Sequence, residues 1–380
     1  MNRSLQLRTF PSSVVRPGEI VVARDFTMPG RGRITCPAGD AIAADLRRLG
    51  GRVRRGPLPV EDAPGHERAT VYTASYLDRA GRAVGFAVGA HPNEAGLASD
   101  AVARWARALR SRRLVTADIG LPCLCLESPP PAGTGVDLPP QARGGRPVLP
   151  TPPGRPTPCP AAAMSLADAR TYAERGDTVV LVGESQASVA ALGAEGPGRT
   201  VVVRSAVEAA ALDVPRPERI SFVVQPGLPA EEAMPVLAAL RERFPLLRGH
   251  HFDALCLRAS DRTASASVAS TGADVALVLG EPADADSARL ARACSPAHRT
   301  RIVDRLDQVG PGLVESATTV ALVPARTAPA RLAAAVEQAL TGLGPLTVIS
   351  RSVSSTGQES PVRAPRRPGR CCARRIPGSD

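Results

Sequence analysis

Two segments of equal length share one plan: CPAAAMSLADARTYAERGDTVVLVG at residues 159–183 and CLRASDRTASASVASTGADVALVLG at residues 256–280. Each opens on a cysteine, runs through small and apolar residues at helical spacing, and closes on an aliphatic run whose final glycine lies 24 positions after the cysteine. The first copy predicts a helix from Ser165 to Arg175, with Ser165 as N-cap and Gly176 as stop, then a strand over Thr178–Val182. The second predicts a helix to about Ser270 and a strand over Asp274–Leu279. A further strand follows in each copy, Ile220–Val224 and Thr319–Val323, and each leads through a proline turn into a helix, Ala230–Arg243 and Pro329–Leu340. Strand alternating with helix at this pitch implies parallel sheets covered by helices, an α/β fold.

Outside the repeat the chain changes character. Residues 1–117 alternate apolar runs (Ile20–Ala23, Thr70–Ala74, Val84–Val88) with helical patterns at Ala41–Leu49 and Leu97–Leu109, and Gly50-Gly51 supplies a stop for the first helix. This reads as an extra N-terminal α/β module. Residues 127–158 collapse into proline and glycine with no periodicity, and residues 352–380 do the same with paired arginines. Both read as segments without a core, a linker and a basic disordered tail.

At 380 residues with 43% hydrophobic content, the chain can fill two or three cores. Its formal charge of +11 comes from arginine alone, since no lysine occurs, and the arginines are spread along the chain. With 3% aromatic residues, the stacking faces and concentrated basic surface of a nucleic-acid binder are missing, so nucleic acid is not an expected partner. The first ten residues carry Arg3 and Arg8 without an apolar run, and no stretch approaches 18 uncharged apolar residues, so no membrane is expected and the expected location is cytoplasmic.

The eight cysteines are then expected as reduced thiols, with cluster ligation or catalysis ahead of disulfides. In open α/β sheets ligands gather where strands end and helices begin, and helix N-termini favour the thiolate that metals require. An isolated cysteine is ordinarily a core residue, but Cys159 and Cys256 occupy the same point of a repeat, which favours a shared ligand. Zinc would call for close pairs such as C-x-x-C, and none is present. Cys123-x-Cys125 and Cys371-Cys372 are poor substitutes, and Cys36 and Cys294 read as structural. The histidines (His66, His91, His250, His251, His298) read as surface or loop residues.

These residues carry a family resemblance. Arg243-Phe244-Pro245, Phe252-Asp253-Ala254-Leu255-Cys256-Leu257 and Ser260-Asp261-Arg262 resemble the segment around the third cluster cysteine of the 4-hydroxy-3-methylbut-2-enyl diphosphate reductase family. Thr157-Pro158-Cys159-Pro160 and Thr178–Gly183 resemble its second cysteine motif. Gln225 and the run Gly280–Leu290, with Asp284, Asp286 and Ser287, fall in register. The resemblance implies a trefoil of repeated parallel-sheet α/β domains, a four-iron four-sulfur cluster held by Cys123, Cys159 and Cys256, and an allylic diphosphate substrate. It also implies reductive removal of an allylic hydroxyl in isoprenoid precursor synthesis by the non-mevalonate route, with electrons from ferredoxin or flavodoxin. The substrate contacts it implies are Gln225, Asp284, Asp286, Ser287 and Thr327, the two hydroxyls being equally readable as helix caps.

The chain also departs from that family. It implies domains at 118–126 (a remnant of the first cysteine domain), 159–250 and 251–351. Cys123 is the weakest ligand carried over, because only 127–158 separates it from Cys159. Glu184 stands where the family has a diphosphate histidine, Gln186 where it has an acidic proton donor, and Pro226 where it has a threonine. Two carboxylates, Asp284 and Asp286, are expected to repel a diphosphate unless protonated or bridged by metal. The alternative reading is therefore a non-catalytic paralogue that serves as a binding or scaffold protein.

Overall fold

The computed structural model describes residues 6–12, 14–28, 32–58, 69–78, 81–119, 160–183, 199–250 and 255–355. The N-terminal part forms a mixed six-stranded sheet from β1 (Gln6–Ser12), β2 (Ile20–Met28), β3 (Gly32–Thr35), β4 (Val53–Leu58), β5 (Ala69–Leu77) and β6 (Ala83–Ala90), in the order β1-β5-β6-β3-β2-β4. Helices α1 (Gly39–Arg48) and α2 (Ala95–Arg107) cover one face. The expected glycine stop of α1 is present: Gly50 adopts φ +89°, its N–H donates to Arg47 O, and that of Gly51 donates to Leu46 O, which satisfies two terminal carbonyls.

Two all-parallel sheets follow. The first comprises α3 (Pro160–Glu174), β8 (Thr178–Val182), β9 (Thr200–Val203), α4 (Ala206–Ala210), β10 (Ile220–Val224), α5 (Ala230–Arg243) and β11 (Arg248–Gly249), with strand order β11-β10-β8-β9. The second contains β7 (Arg112–Ala117), α6 (Leu257–Ser270), β12 (Val275–Leu279), α7 (Ala285–Ala293), β13 (Thr300–Val303), α8 (Pro311–Val314), β14 (Thr319–Pro324), α9 (Leu332–Thr341) and β15 (Leu346–Arg351), with order β13-β12-β14-β7-β15. The repeat survives at the level of single hydrogen bonds. Gly183 N–H donates to Val203 O at 3.1 Å and Gly280 N–H to Val303 O at 2.9 Å; Gln225 N–H donates to Val182 O at 2.8 Å and Ala325 N–H to Leu279 O at 2.7 Å. The α/β expectation with repeated parallel sheets therefore holds.

The expected boundary at residue 117 does not fall between independent units. Strand β7 lies between β14 and β15, pairing Leu114 with Val320 and Val348, and Val115 with Ala321 and Ile349. It is buried on both faces, as strands of parallel sheets are. Leu114 shares a core with Ile20, Ile42, Leu46 and Trp105 from the N-terminal part and Val320, Leu322 and Val336 from the carboxy-terminal part. Val115 and Ala117 pack on the other face against Ala266, Ala269 and Ala276. The N-terminal sheet and the second parallel sheet thus share one continuous core through α1 and α2.

Two smaller expectations are also corrected. Helix α3 begins at Pro160, whose ring suits a first turn, so Ser165 lies inside it and donates its hydroxyl to Val224 O at 3.2 Å instead of capping. Helix α9 begins at Leu332, three residues after the expected Pro329. The segment 127–158, all of 118–126 beyond Ile119, and the tail after Ser355 lie outside the described residues.

One buried arginine joins the two halves. The guanidinium of Arg112 donates to Leu343 O (3.1 Å), Val314 O (2.8 Å), Arg110 O (3.3 Å) and Ala108 O, so it satisfies the terminal carbonyls of α2 and α8 together. Burial, helped by the charge of Arg110, lowers its pKa to about 10, which leaves it charged at neutral pH. Arg112→Met strands these carbonyls and is expected to cost about 3 kcal/mol in urea unfolding. Arg112→Lys, with three donors on a point charge, restores only part. An Arg112→Met protein as stable as wild type contradicts this role.

Candidate functional site

An inner strand of each parallel sheet, β8 and β12, ends on a glycine in the same backbone conformation, φ +156° at Gly183 and +157° at Gly280. Each glycine also makes room for a neighbour. A methyl group on Gly183 would lie 2.5 Å from Gln225 Cβ, and one on Gly280 would lie 2.4 Å from Ser287 Oγ and 2.8 Å from Ala325 Cβ. The missing side chain lets polar groups close over the carboxyl end of the strand. At β12 this makes a cradle at the N-terminus of α7: the Ser287 and Thr327 hydroxyls stand 3.4 Å apart, and the Glu281 N–H donates to Thr327 Oγ1 at 2.9 Å.

Asp284 and Asp286 border this cradle, but neither presents a bare charge. Asp284 caps α7, accepting from the Ser287 N–H at 3.0 Å and from Arg326 at 3.0 Å. Asp286 accepts from Arg262 at 2.7 Å and from the Arg326 N–H at 2.8 Å. Burial alone would raise the Asp284 pKa, yet the hydrogen bonds from Arg326 and Ser287 outweigh it and hold the carboxyl below its ordinary 3.8. Each aspartate thus comes with an arginine, while the Ser287 N–H and hydroxyl both turn to Asp284 and the Glu281 N–H turns to Thr327.

Cys256 is the N-cap residue of α6, a 14-residue helix, and is 7% exposed. Burial raises the Cys36 and Cys294 thiols to about 12 and about 11, which keeps them protonated, in keeping with structural roles. Helix α6 lies across β14, β7 and β15, with its N-terminal half at their carboxyl edge. The chain after β15 runs back along it: Val353 N–H donates to Ser265 Oγ at 2.8 Å and Ser355 N–H to Asp261 Oδ1 at 2.9 Å, while Asp118 N–H, just past β7, donates to Arg351 O at 2.8 Å. The exit of β7 towards Cys123 and the entry of α6 at Cys256 thus share one edge of the sheet. Helix α3 begins at the residue after Cys159, as α6 begins after Cys256. Among the described residues Cys256 is the one expected ligand, a soft thiol at a helix start whose place in the repeat matches that of Cys159 in the sequence.

The repeats are locked together where they meet. Ser260 Oγ accepts from the Ala230 N–H at 2.9 Å, capping α5 from α6, and Arg289 on α7 makes a forked contact to Glu232 at 3.0 and 3.1 Å. Thr263 on α6 donates to Glu231 on α5. Helix α6 thereby braces both its own sheet and the turn that follows Gln225.

Of the residues expected to act, Asp284, Asp286, Ser287 and Thr327 come together at the β12 cradle, and Gln225 forms the matching wall at β8. Cys123, Cys159, Glu184 and Gln186 lie outside the described residues. Among the described residues no group of three or more His, Cys, Asp or Glu side chains converges to hold a metal, and no helix is long and apolar enough to cross a membrane. Arg326 carried no sequence signal, because its partners lie 40 and 42 positions away. Arg262 stood in the Ser260-Asp261-Arg262 motif without an assigned partner. His250, expected on the surface or in a loop, is buried.

Residues 156–341 match the family model described as LytB protein. Residues 156–341 belong to the LytB family. The LytB segment covers the first parallel sheet and β12, β13 and β14 of the second, and leaves the N-terminal sheet, β7 and β15 outside the match. A 4-hydroxy-3-methylbut-2-enyl diphosphate reductase 2 from Mycobacterium bovis is 32% identical over 203 residues, 52% of this chain and 60% of that protein. A relative of similar name from Ruegeria is 27% identical over 178 residues, covering 45% and 55%. The chain thus spans about 60% or less of the length of these relatives. A solved (E)-1-hydroxy-2-methyl-but-2-enyl-4-diphosphate reductase from Plasmodium falciparum aligns over 51% of this chain and 62% of its own, with 16% identity and a TM-score of 0.45.

Two variants test the cradle. Gly280→Ala forces Ser287 and Ala325 apart in a strained conformation and should cost about 2 kcal/mol, read by thermal unfolding. For Asp284, a depressed folded-state pKa means that its contribution is present above the unfolded value near 3.8 and is lost as pH falls through the folded value. Asp284→Ala should therefore be about 1 kcal/mol less stable than wild type at pH 7, with the gap closing as pH is lowered below about 3.8. A gap that stays constant across that range contradicts the Asp284–Arg326 assignment.

Proposed function

We propose that this chain is an iron–sulfur oxidoreductase that reduces 4-hydroxy-3-methylbut-2-enyl diphosphate to isopentenyl and dimethylallyl diphosphates in isoprenoid precursor synthesis. The observation that carries this reading is the repeat itself: a helix that starts directly after a cysteine, followed by a strand that ends on a glycine cradle, within a LytB-family segment. Cys123, Cys159 and Cys256 are the proposed ligands of a four-iron four-sulfur cluster, which when bound supplies electrons and a Lewis-acidic iron for the substrate hydroxyl.

The chain's own groups bind and orient the substrate. Ser287 and Thr327, with the amides at the start of α7, donate hydrogen bonds to the diphosphate. Arg262 and Arg326 balance Asp284 and Asp286, so the cradle receives an anion without net carboxylate repulsion. Gln225 closes over Gly183 from the other repeat and orients the substrate through its amide. The overall change takes up two electrons and two protons, breaks the allylic C–O bond and releases water. A ferredoxin or flavodoxin is the proposed electron donor. Neither Glu184 nor Gln186 is assigned a step, and Gln186 has no acidic proton to give.

The test is anaerobic purification with iron and sulfide quantification and EPR spectra, comparing wild type with Cys123→Ser, Cys159→Ser and Cys256→Ser. A brown protein with about four irons per chain, diminished by each substitution, supports the reading. A colourless, folded protein that takes up no iron on reconstitution contradicts it and leaves the LytB segment as a non-catalytic scaffold.

A further inference from the structure

His250 follows the two-residue strand β11, and its side chain is 1% exposed. The Val224 N–H donates to its Nε2 at 3.3 Å. Accepting that bond requires a free lone pair, so the ring is neutral and carries its proton on Nδ1. Nδ1 has no hydrogen-bond partner, and the Asp168 carboxylate of α3 stands 3.8 Å away. The Phe222 ring meets the imidazole edge-on, with centroids 5.7 Å apart. It also fills the space beside Gly249, where a methyl group would lie 2.0 Å from Phe222 Cε1.

The geometry explains why an imidazole is placed there. Strand β11 pairs with β10 only at Ser221–Arg248 and Phe222–Gly249. Successive amides of a strand point to opposite neighbours: the Gln225 N–H turns to Val182 O of β8, and the Val224 N–H turns away from β8. With β11 finished at Gly249, that buried amide would be left without an acceptor, at a cost comparable to a lost hydrogen bond. The His250 ring takes the place of the next ladder rung.

We propose that His250 is a positioning residue for Gln225: its neutral imidazole completes the β10–β11 ladder at Val224, and protonation of Nε2 releases the carboxyl end of β10. Adding a proton to Nε2 turns the acceptor into a donor that faces the Val224 N–H, so the bond is replaced by repulsion. Asp168 is the charged group of α3 that faces the ring. Strand β10 presents Phe222 and an amide, neither of which titrates; Asp177, before β8, is engaged by Ser221 Oγ at 2.8 Å; and Arg248 of β11 is exposed. Burial holds the imidazole below its ordinary 6.5, with Asp168 opposing more weakly. The unfolded chain therefore takes up the proton first, so the latch is intact above 6.5 and is lost as pH falls from there through the folded-state value. The role of Gln225 towards substrate rests on the proposed reductase function, whereas the latch is measured without substrate or cluster, so the two fail separately.

The experiment is amide hydrogen exchange resolved at Val224 in the full chain, expressed as protection factors between about pH 5 and pH 8. Wild-type protection at Val224 should fall about tenfold as the ring protonates, the effect of one buried hydrogen bond. His250→Phe keeps the ring against Phe222 without an acceptor and should lose that protection at every pH. His250→Gln keeps an acceptor near the Nε2 position that does not titrate and should hold its protection at low pH. Wild-type protection that is independent of pH, protection retained in His250→Phe, or a Gln variant that exchanges like the Phe variant overturns the proposal.

Discussion

The hydrogen bonds of β7 to β14 on one side and β15 on the other are the constraint around which the second parallel sheet is organised. A strand buried on both faces must satisfy its backbone groups within the sheet and its side chains against helices on either side. Leu114 does so towards α1 and α2, and Val115 and Ala117 do so towards α6. One strand thereby fixes the N-terminal sheet to the cysteine repeat and sends the chain out at the edge where Cys256 begins α6. Arg112, the first residue of that strand, reinforces the junction by tying two helix C-termini to it.

From that frame the chemistry of the candidate site follows by repetition. The two strand-end glycines adopt one conformation, and each admits a polar side chain that a larger residue would exclude. The copies then diverge: an amide, Gln225, closes the first, and two hydroxyls with two aspartate–arginine pairs close the second. Pairing each carboxylate with a guanidinium keeps the cradle near neutrality. The contacts among α5, α6 and α7 fix the two cradles relative to the helix that carries Cys256.

Much of this architecture was legible because local signals and tertiary packing agree. Thr178–Val182 and Ile220–Val224 are continuous aliphatic runs that only a two-sided burial explains, and Gly50 and Gly176 mark helix ends through a left-handed backbone that glycine favours. What escaped depends on distant partners. Nothing local to Arg112–Ala117 says that its neighbours come from the last 70 residues of the chain, so it read as the close of the N-terminal part. The expected clash of Asp284 and Asp286 with an anion overlooked arginines whose positions are set by the loop after β14 and by α6. His250 read as a loop histidine because the burial that defines it comes from Phe222 and α3, which lie far from it in sequence.

The central claim, that β7 is an integral strand of the cysteine-bearing sheet, is tested most directly by residue-resolved amide exchange in the full chain. The account predicts that Leu114, Val115 and Thr116 are as strongly protected as Val320–Val323 of β14 and open together with them. Exchange of β7 at a fast rate of its own, or together with the N-terminal sheet while β14 stays closed, would contradict it.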